Sequence, residues 1–250
     1  MVKLHELVTF ADDLLGAGAF NDYCPNGLQV EGRSEVRRLA SGVTACRALI
    51  EAAADFGADA ILVHHGFFWR GEDARVVGMK RDRLRSLLAQ DMSLIAYHLP
   101  LDAHAELGNN AQLAQRLGWQ TDGTLGSDGI GLHGRVEGGG VDAAGLADRL
   151  ERVLGRRPLH IAGGPAMIRT VGWCTGAAQG HIDRAVALGL DAYVSGEISE
   201  QTVHVAREAG IHYFAAGHHA TERYGVQSFG AHLAERFGLE HRFFDIDNPV

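Results

Sequence analysis

Hydrophobic and polar positions follow two alternating patterns along the chain. Apolar residues recur every three or four positions in segments such as residues 45–56 and 79–89, which predicts helices. Short continuous apolar runs, such as residues 58–63, instead predict buried strands. Because the two patterns take turns from residue 2 to residue 246, we expect an α/β protein with largely parallel sheets that helices cover on both faces.

Periodicity, together with glycine and proline signals, sets the predicted boundaries of these elements. The predicted helices are residues 2–15, 45–56, 79–89, 109–117, 141–154, 181–188, 199–209 and 221–237. The predicted strands are residues 28–30, 38–43, 58–63, 94–97, 159–161, 168–173, 192–194, 212–215 and 241–246. Residues 121–140 are rich in glycine and lack a helical period, so we interpret them as a domain boundary or a surface hairpin. We therefore predict a first half, residues 1–126, and a second half, residues 127–250, with residues 223–250 packing back on the first half.

Composition narrows the class of protein without identifying it. The chain has 250 residues, of which 46% are hydrophobic and 22% are charged, as is usual for globular proteins. Its formal net charge of -8 argues against nucleic acid or anionic lipid as a partner attracted by overall charge. The first helix carries acidic residues and no apolar run approaches transmembrane length, so we expect no signal peptide and no membrane partner. Three widely separated cysteines agree with reduced thiols and a cytoplasmic location.

Two adjacent histidines, His64 and His65, form the first candidate site. They follow the apolar run of residues 61–63 and precede Gly66, so they lie where a predicted buried strand ends. Neighbouring side chains on a strand point to opposite faces, and they converge only where the backbone turns. Because open α/β sheets bind their ligands at such strand ends, His64 and His65 are candidate metal ligands.

The two halves of the chain resemble each other, which indicates an internal duplication. Residues 53–63 and residues 185–195 both run from the end of a helix through a glycine and an Asp-Ala pair into a strand. This pattern alone could equally arise by chance, because both segments are ordinary helix-turn-strand units.

A second shared motif strengthens the case for duplication. Predicted strands end at His98 and near His218, and a carboxylate follows each histidine four residues later, at Asp102 and Glu222. If a pseudo-twofold axis relates the halves, these strand ends face each other across a cleft. Glu197 falls at the repeat position of the second histidine of the His-His pair, so we expect it to face the same cleft.

The residue types in these motifs indicate a divalent first-row metal. Imidazole and carboxylate suit Zn, Fe, Mn, Co or Ni, and no nearby thiolate would select copper or an iron–sulfur cluster. Four histidines and two carboxylates fit two metals roughly 3.5–4 Å apart that share a carboxylate and a water. We expect Pro100 to keep His98 and Asp102 in a loop rather than in a regular helix. Glu222 follows Thr221, a suitable N-cap, so we predict that it lies in the first helical turn and bridges the metals.

The remaining histidines carry less information. His219 directly follows His218, so we expect it to point away or to hold a metal ligand in place. Eight others lack comparable neighbours in sequence and are interpreted as surface or packing residues: His104, His133, His160, His181, His204, His212, His232 and His241. The chain has no Gly-x-Gly-x-x-Gly, P-loop or Gly-x-Ser-x-Gly motif, so dinucleotide-binding, NTPase and serine hydrolase functions lack support.

Four motifs in order give the chain a family resemblance. They are Asn-Gly-Leu-Gln-Val-Glu-Gly at residues 26–32, Val-His-His-Gly at 63–66, His-Leu-Pro-Leu-Asp at 98–102 and Gly-His-His-Ala-Thr-Glu-Arg at 217–223. Together they resemble the Nif-three-like family, known as GTP cyclohydrolase I type two homologues, and the resemblance covers nearly the whole chain. The short bacterial branch is the most similar, because residues 127–168 leave no room for the domain that longer members insert between the halves.

The resemblance implies a fold, a metal site and an assembly. It implies two intertwined, pseudo-symmetric α/β halves, a dinuclear divalent-metal site in the cleft and a toroidal homohexamer. By motif, the family's ligands fall on His64, His65, Asp102, His218 and Glu222. His98 belongs to the same motif and is interpreted as a ligand or a proton-transfer group, while Glu197 and His219 are expected to support a ligand or contact substrate.

Two functions are compatible with these residues. In the first, paired metals activate a water against a nucleotide-like or other small substrate while His98 moves a proton. The family name implies attack of water on the guanine ring of GTP. In the second, the protein binds metal or regulates without catalysis, as a ring-shaped store, chaperone or scaffold. Apart from Glu197 and His98, the sequence offers no obvious general acid and no phosphate cradle, so it does not decide between an enzyme and a binding protein.

Overall fold

The computed structural model describes residues 1–127 and 129–250. Its strands are β1 Val2–Lys3, β2 Gly27–Val30, β3 Glu35–Val36, β4 Arg38–Thr44, β5 Ala60–His65, β6 Ser93–Ala96, β7 Trp119–Thr124, β8 Leu132–Val136, β9 Leu159–Ile161, β10 Thr170–Cys174, β11 Ala192–Ser195, β12 His212–Ala215 and β13 Glu240–Phe243. Its α-helices are α1 Leu4–Leu15, α2 Arg47–Phe56, α3 Gly78–Ala89, α4 Leu99–Ala103, α5 Asn109–Leu117, α6 Ala143–Leu154, α7 Ile182–Ala187, α8 Glu200–Ala209 and α9 His218–Phe237. Each predicted helix and strand therefore has a counterpart, and β1, β3, β7, β8 and α4 are additional.

The chain forms two compact units, each built from separate segments. The first unit combines residues 1–108 with 225–247, and the second combines residues 109–224 with 248–250. The division after residue 108 lies earlier than the predicted boundary at 126, because Leu113 and Leu117 of α5 pack in a core of the second unit. The chain returns to the first unit near its end, where Val226 and Phe229 of α9 belong to the core.

A five-stranded sheet lies at the centre of the first unit, with strand order β13-β4-β5-β6-β2. The first four strands are parallel, and β2 pairs antiparallel with β6 at the edge. Side chains of β5 alternate between two cores: Leu62 packs in the core that contains α1, whereas Ile61 and Val63 pack in the core that contains α2. Both faces of β5 are buried, which explains its continuous apolar run.

The second unit contains a six-stranded mixed sheet, with strand order β7-β8-β10-β11-β12-β9. Strands β10, β11 and β12 are parallel, while β9 and the hairpin of β7 and β8 are antiparallel to their neighbours. The hairpin occupies much of the glycine-rich segment and confirms its interpretation as a hairpin. The sheet of the first unit is largely parallel as predicted, and the hairpin makes the second sheet mixed. Within the described residues, no helix has the length and apolar composition needed to cross a membrane.

The two units repeat the same strand and helix order around their parallel strands. In the first unit this order is β4, α2, β5, α3 and β6, and Asp59 directly precedes β5. The carboxylate of Asp59 accepts hydrogen bonds from the backbone N–H groups of Arg37, at 2.7 Å, and Arg38, at 3.0 Å. It also accepts one from the guanidinium group of Arg33, at 2.9 Å. Asp59 thus ties the start of β4 to the start of β5.

The second unit has the same clamp in the order β10, α7, β11, α8 and β12. Asp191 directly precedes β11, and its carboxylate accepts the backbone N–H groups of Arg169, at 2.8 Å, and Thr170, at 2.9 Å. Asp59 and Asp191 are equivalent in the sequence repeat, so the contacts support an internal duplication.

The repeat loses its register at the histidines. In the first unit the N–H of Tyr97 donates to the carbonyl oxygen of Val63 at 3.1 Å. The equivalent residue of the second unit is Ala216, whose N–H donates to the carbonyl oxygen of the last residue of β11 at 2.7 Å. Because Tyr97 corresponds to Ala216, His98 lies one position nearer to its strand than His218 does. The two histidines that the sequence pattern pairs are therefore not structurally equivalent.

Replacement of Asp59 or Asp191 with alanine is expected to destabilise the protein. Either change removes the acceptor from backbone N–H groups at the start of a parallel strand, at a cost of about 1–3 kcal/mol. Urea unfolding followed by circular dichroism should show a lower transition midpoint for each variant. The control is Asp55→Ala, which alters an exposed carboxylate on α2. An equal loss of stability in the control would mean that the hydrogen bonds are not the cause.

Candidate metal-binding residues

His64 is fully buried near the end of β5, and the backbone orients its ring. Its Nδ1 lies 2.9 Å from the carbonyl oxygen of Tyr97, and because a carbonyl can only accept, Nδ1 carries the proton. Nε2 then presents its lone pair, and it lies 3.5 Å from Oδ1 of Asp102. Proteins commonly use such a hydrogen bond on one ring nitrogen to aim the other at a metal ion.

His65 and His98 bring two more imidazoles next to His64. Their ring centres lie 4.5 Å and 5.1 Å from the ring centre of His64. One nitrogen from each of the three rings lies within 4.8 Å of the others, so this group could hold a metal ion. Nδ1 of His65 also lies 3.3 Å from the hydroxyl of Thr44 on the neighbouring strand. Strand β5 continues through His65 itself, two residues beyond the predicted strand end at residue 63.

Gly66 allows Gln29 of the edge strand β2 to lie against the backbone that follows the histidine pair. A Cβ added at Gly66 would collide with Oε1 of Gln29 and lie 2.7 Å from Cβ of Ala96. The same Gln29 oxygen accepts the N–H of Phe67 at 2.6 Å. The glycine is therefore needed for a close approach of side chains from β2 and β6.

Asp102 lies in the short helix α4, so the prediction of a loop at this position is wrong. Pro100 is in the first turn of α4, where the missing N–H of a proline costs nothing because the first helical N–H groups have no partner within the helix. The N–H of Asp102 donates to the carbonyl oxygen of His98 at 3.2 Å. Asp102 is 7% exposed, and α4 holds its carboxylate beside His64.

Asp22 orients His98, and sequence reasoning did not identify it. Its Oδ1 lies 2.7 Å from Nδ1 of His98, while its Oδ2 accepts the N–H of Leu99 and the side-chain amide of Asn26, both at 2.9 Å. Asn26 in turn accepts the backbone N–H of His98 at 2.8 Å. The Pro-Asn-Gly turn signalled a loop here, but nothing in the sequence indicated that the loop contacts a histidine 76 residues away.

The charge state of this group favours a role for Asp22 rather than for Cys24. Burial opposes ionisation of Asp22, but hydrogen bonds from His98 and Asn26 outweigh it and lower the pKa of Asp22 to about 2. Burial raises the pKa of Cys24 to about 12, so its thiol stays protonated at neutral pH. Although Asp22, Cys24 and His98 could form a further group of ligand atoms, the hydrogen-bonded pair of Asp22 and His98 is the better supported arrangement. His98 then has Nε2 left for a metal or a proton.

His218 and two glutamates form the candidate group of the second unit. Nδ1 of His218 lies 2.7 Å from Oε1 of Glu197, which follows β11. Nε2 of His218 lies 3.2 Å from Oε2 of Glu222, one turn later on α9. Glu222 is 3% exposed. As with His64, an oxygen holds one ring nitrogen while the other lies beside a carboxylate.

Helix α9 begins at His218, three residues before its predicted start, and this changes the interpretation of Thr221 and Glu222. Thr221 is not an N-cap: its hydroxyl donates to the carbonyl oxygen of Gly217 at 2.8 Å and accepts the N–H of Gly176 at 3.1 Å. No acidic residue lies in the first turn of α9, so the predicted first-turn position of Glu222 is wrong. The carboxylate lies instead in the second turn of α9, with Oε2 3.2 Å from Nε2 of His218.

Gly176 leaves the space that the Glu222 carboxylate occupies. A Cβ added at Gly176 would collide with Oε1 of Glu222 and lie 3.2 Å from Nε2 of His218. The φ of Gly176 is +69°, a conformation that residues with a side chain rarely adopt. Both space and backbone conformation therefore require glycine at this position.

The two glutamates also control the protonation of His218. Burial disfavours its charged form, but the hydrogen bonds and charges of Glu222 and Glu197 outweigh burial and raise the pKa of His218 to about 9. At neutral pH the metal-free group thus holds a proton between His218 and its carboxylates. A divalent cation bound here would replace that proton.

His160 and His212 agree with the predicted roles in packing. His160 and His212 hydrogen-bond to each other at 3.0 Å, and Nε2 of His212 lies 2.9 Å from the carbonyl oxygen of Pro165. The ring of His160 stacks on Phe214 at 4.5 Å. His219 donates its backbone N–H to the carbonyl oxygen of Val250 at 2.9 Å, and its supporting role stays a prediction.

Replacement of Glu197 with glutamine is expected to lower the pKa of His218 in metal-free protein. The change removes one of the two negative charges that stabilise the imidazolium, while the amide can still contact Nδ1. Titration of the His218 ring by NMR, after chelation of metals, measures the shift. Glu200→Gln alters an exposed carboxylate on α8 and is the control. A pKa that is equal in both variants would contradict the role assigned to Glu197.

Known proteins resemble the chain over its whole length. The family model Duf34/NIF3 (NGG1p interacting factor 3) matches residues 2–249. A protein of Pseudomonas aeruginosa named GTP cyclohydrolase 1 type 2 homolog is 55% identical over 252 residues, covering 100% of this chain and 99% of the relative. A protein of Escherichia coli K12 with the same name is 48% identical over 250 residues, covering 100% of both.

Solved structures have the same fold. The structure titled protein ybgI, of unknown function, matches with a TM-score of 0.97 and 48% identity, covering 100% of both chains. The structure of TTHA1606 from Thermus thermophilus matches with a TM-score of 0.91 and 36% identity, again covering 100% of both chains. The family model, the sequence relatives and the solved structures agree: the chain belongs to the Duf34/NIF3 family.

Proposed function

We propose that the protein binds two divalent metal ions through His64, His65, Asp102, His218 and Glu222, with Glu222 as the shared ligand. The observation that carries the proposal is the orientation of the histidines. An oxygen holds Nδ1 of His64 and of His218, and Nε2 of each lies beside a carboxylate. Hydrogen bonding of this kind is typical of histidines that bind metals. Each unit contributes its own oriented group, as the family resemblance leads us to expect.

The donor atoms support a first-row metal. Imidazole nitrogen and carboxylate oxygen suit Zn, Fe, Mn, Co or Ni. The Cys24 thiol lies near His98, and burial raises its pKa in the metal-free protein; Cys24 is not among the proposed ligands. The proposed metal is therefore one that nitrogen and oxygen ligands hold without sulfur.

The reaction that fits this ligand set best is hydrolysis of a nucleotide-like or other small substrate. Paired divalent ions supply an activated water and an electrophile when they are bound. The hydrogen bond from Nδ1 of His98 to Asp22 fixes the ring and leaves Nε2 to accept or donate a proton. The name of the relatives, GTP cyclohydrolase 1 type 2 homolog, supports GTP as the first substrate to test.

From the family resemblance we also propose a cytoplasmic ring of six copies.

Metal content is expected to fall when a proposed ligand is removed. Purified protein should contain about two divalent ions per chain, and His65→Ala or Glu222→Ala should lose most of them. Elemental analysis of the purified variants gives the metal content, and circular dichroism checks that each is folded. The control is His204→Ala, which removes an exposed histidine that pairs with Glu200. An unchanged metal content in both ligand variants would refute the site.

Replacement of His98 is expected to lower the reaction rate much more than it lowers the metal content. Metal-loaded protein incubated with GTP should change the absorbance of guanine, and His98→Gln should slow this change by roughly 10²- to 10⁴-fold because a proton-transfer group is lost. Elemental analysis of the same variant separates the two roles of His98, since a ligand would take metal with it. If the intact protein turns over neither GTP nor any substrate in a broad hydrolase screen, a metal-binding protein without catalysis is the better description.

A further inference from the structure

Three arginines line one cavity of the second unit. The cavity has a volume of ≈ 410 Å³ and is bordered by Arg116 near the end of α5 and by Arg149 and Arg152 of α6. The rest of its lining is Gln115, Leu117, Gly118 and Val153. None of these residues belongs to the proposed metal ligands. Such a local excess of positive charge is unusual in a chain whose formal net charge is -8.

The two helices that border the cavity, α5 and α6, pack on a common core. Leu113 and Leu117 of α5 share a core with Leu146 and Leu150 of α6. Arg149 and Arg152 are three residues apart, and side chains at this spacing lie on the same side of a helix. The apolar faces of both helices are therefore fixed, and the arginines are carried on rigid elements rather than on loops.

Arg116 is held in place before any ligand binds. Its Nη1 donates to the side-chain oxygen of Gln112 at 2.5 Å and to the carbonyl oxygen of the same residue at 3.2 Å. Its guanidinium carbon lies 4.0 Å from the ring centre of Tyr224. The hydroxyl of Tyr224 in turn donates to the carbonyl oxygen of Val153, which lines the cavity. Binding of an anion would cost little side-chain entropy at a group that is already ordered.

Two neighbouring carboxylates on α6 are paired with a different cation. Asp148 and Glu151 lie on α6 beside the cavity arginines, and both bind Arg157, at 3.1 Å and 2.7 Å. Glu137 lies beside Gly118. Among the ion pairs of the described residues, none joins a carboxylate to Arg116, Arg149 or Arg152. Like charges repel at this spacing, so the cavity favours an anion.

We propose that this cavity binds the phosphate group of a small molecule. The planar guanidinium fork matches phosphate oxygens and forms paired, charge-assisted hydrogen bonds with them. Three guanidinium groups also offer more hydrogen-bond donors than a single carboxylate ligand would need. A nucleic acid would require basic groups along an extended surface, and the overall acidic charge of the chain opposes it. The site is separate from the proposed metal ligands and does not depend on the proposed function.

Titration calorimetry with inorganic pyrophosphate tests the proposal on the purified protein, both with its metals and after chelation. Binding that survives chelation is expected, because the cavity contains no proposed metal ligand. The double variant Arg149→Gln and Arg152→Gln should weaken this binding by roughly tenfold or more, since charge-assisted hydrogen bonds are lost. Arg207→Gln changes an exposed arginine on α8 and should leave binding intact. Arg116→Lys keeps the charge without the fork and should weaken binding less than the double variant.

Three results would overturn the proposal. Pyrophosphate binding that is equal in the double variant and the intact protein would place the anion elsewhere. Binding that disappears on chelation would assign it to the metals. Tighter binding of a short DNA duplex than of pyrophosphate, lost in the same double variant, would make the surface a nucleic-acid site. Elemental analysis of the double variant should show unchanged metal content, so these outcomes stay distinct from a failure of the metal proposal.

Discussion

The candidate chemistry depends on one repeated interaction, an oxygen atom that holds Nδ1 of a histidine. The carbonyl oxygen of Tyr97 does so for His64, Asp22 for His98 and Glu197 for His218. Each bond fixes the rotation of its ring, and it directs Nε2 of His64 and of His218 towards a carboxylate. The acceptors are therefore as important to the site as the histidines, and most of them come from the ends of strands that are buried in the cores.

The two units share strand and helix order and equivalent contacts at Asp59 and Asp191, which indicates duplication, but they differ at the histidines. Asp59 and Asp191 clamp equivalent strands in the same way. Beyond the strands, the first copy continues into the short α4 and the second into the long α9, with histidines one position out of register. Both α4 and α9 contribute residues to a hydrophobic core, so the copies differ in the length of these helices while each keeps its packing on the parallel strands.

Periodicity in the sequence predicts most of the helices and strands, because buried strands and amphipathic helices require continuous apolar patterns. It does not predict β1, β3, β7, β8 or α4. It is not sufficient where a contact joins distant segments. Asp22 reaches His98 through a loop whose composition signals only a turn. Pro100 argues against a helix in the sequence, yet a first helical turn tolerates it. Thr221 resembles an N-cap in sequence, but α9 already begins at His218, and the Thr221 hydroxyl bonds to Gly217 and Gly176 instead.

Gly176 has a consequence for experiments that search for functional residues by mutation. The position has no side chain to coordinate, donate or accept, yet a Cβ there would meet the carboxylate of Glu222. A saturation screen for metal retention should therefore rank Gly176 with the ligands, and a rule that equates sensitivity with direct contact would misassign it. In this fold, sensitivity to substitution measures how closely the backbone is packed around the chemistry as well as which atoms take part in it.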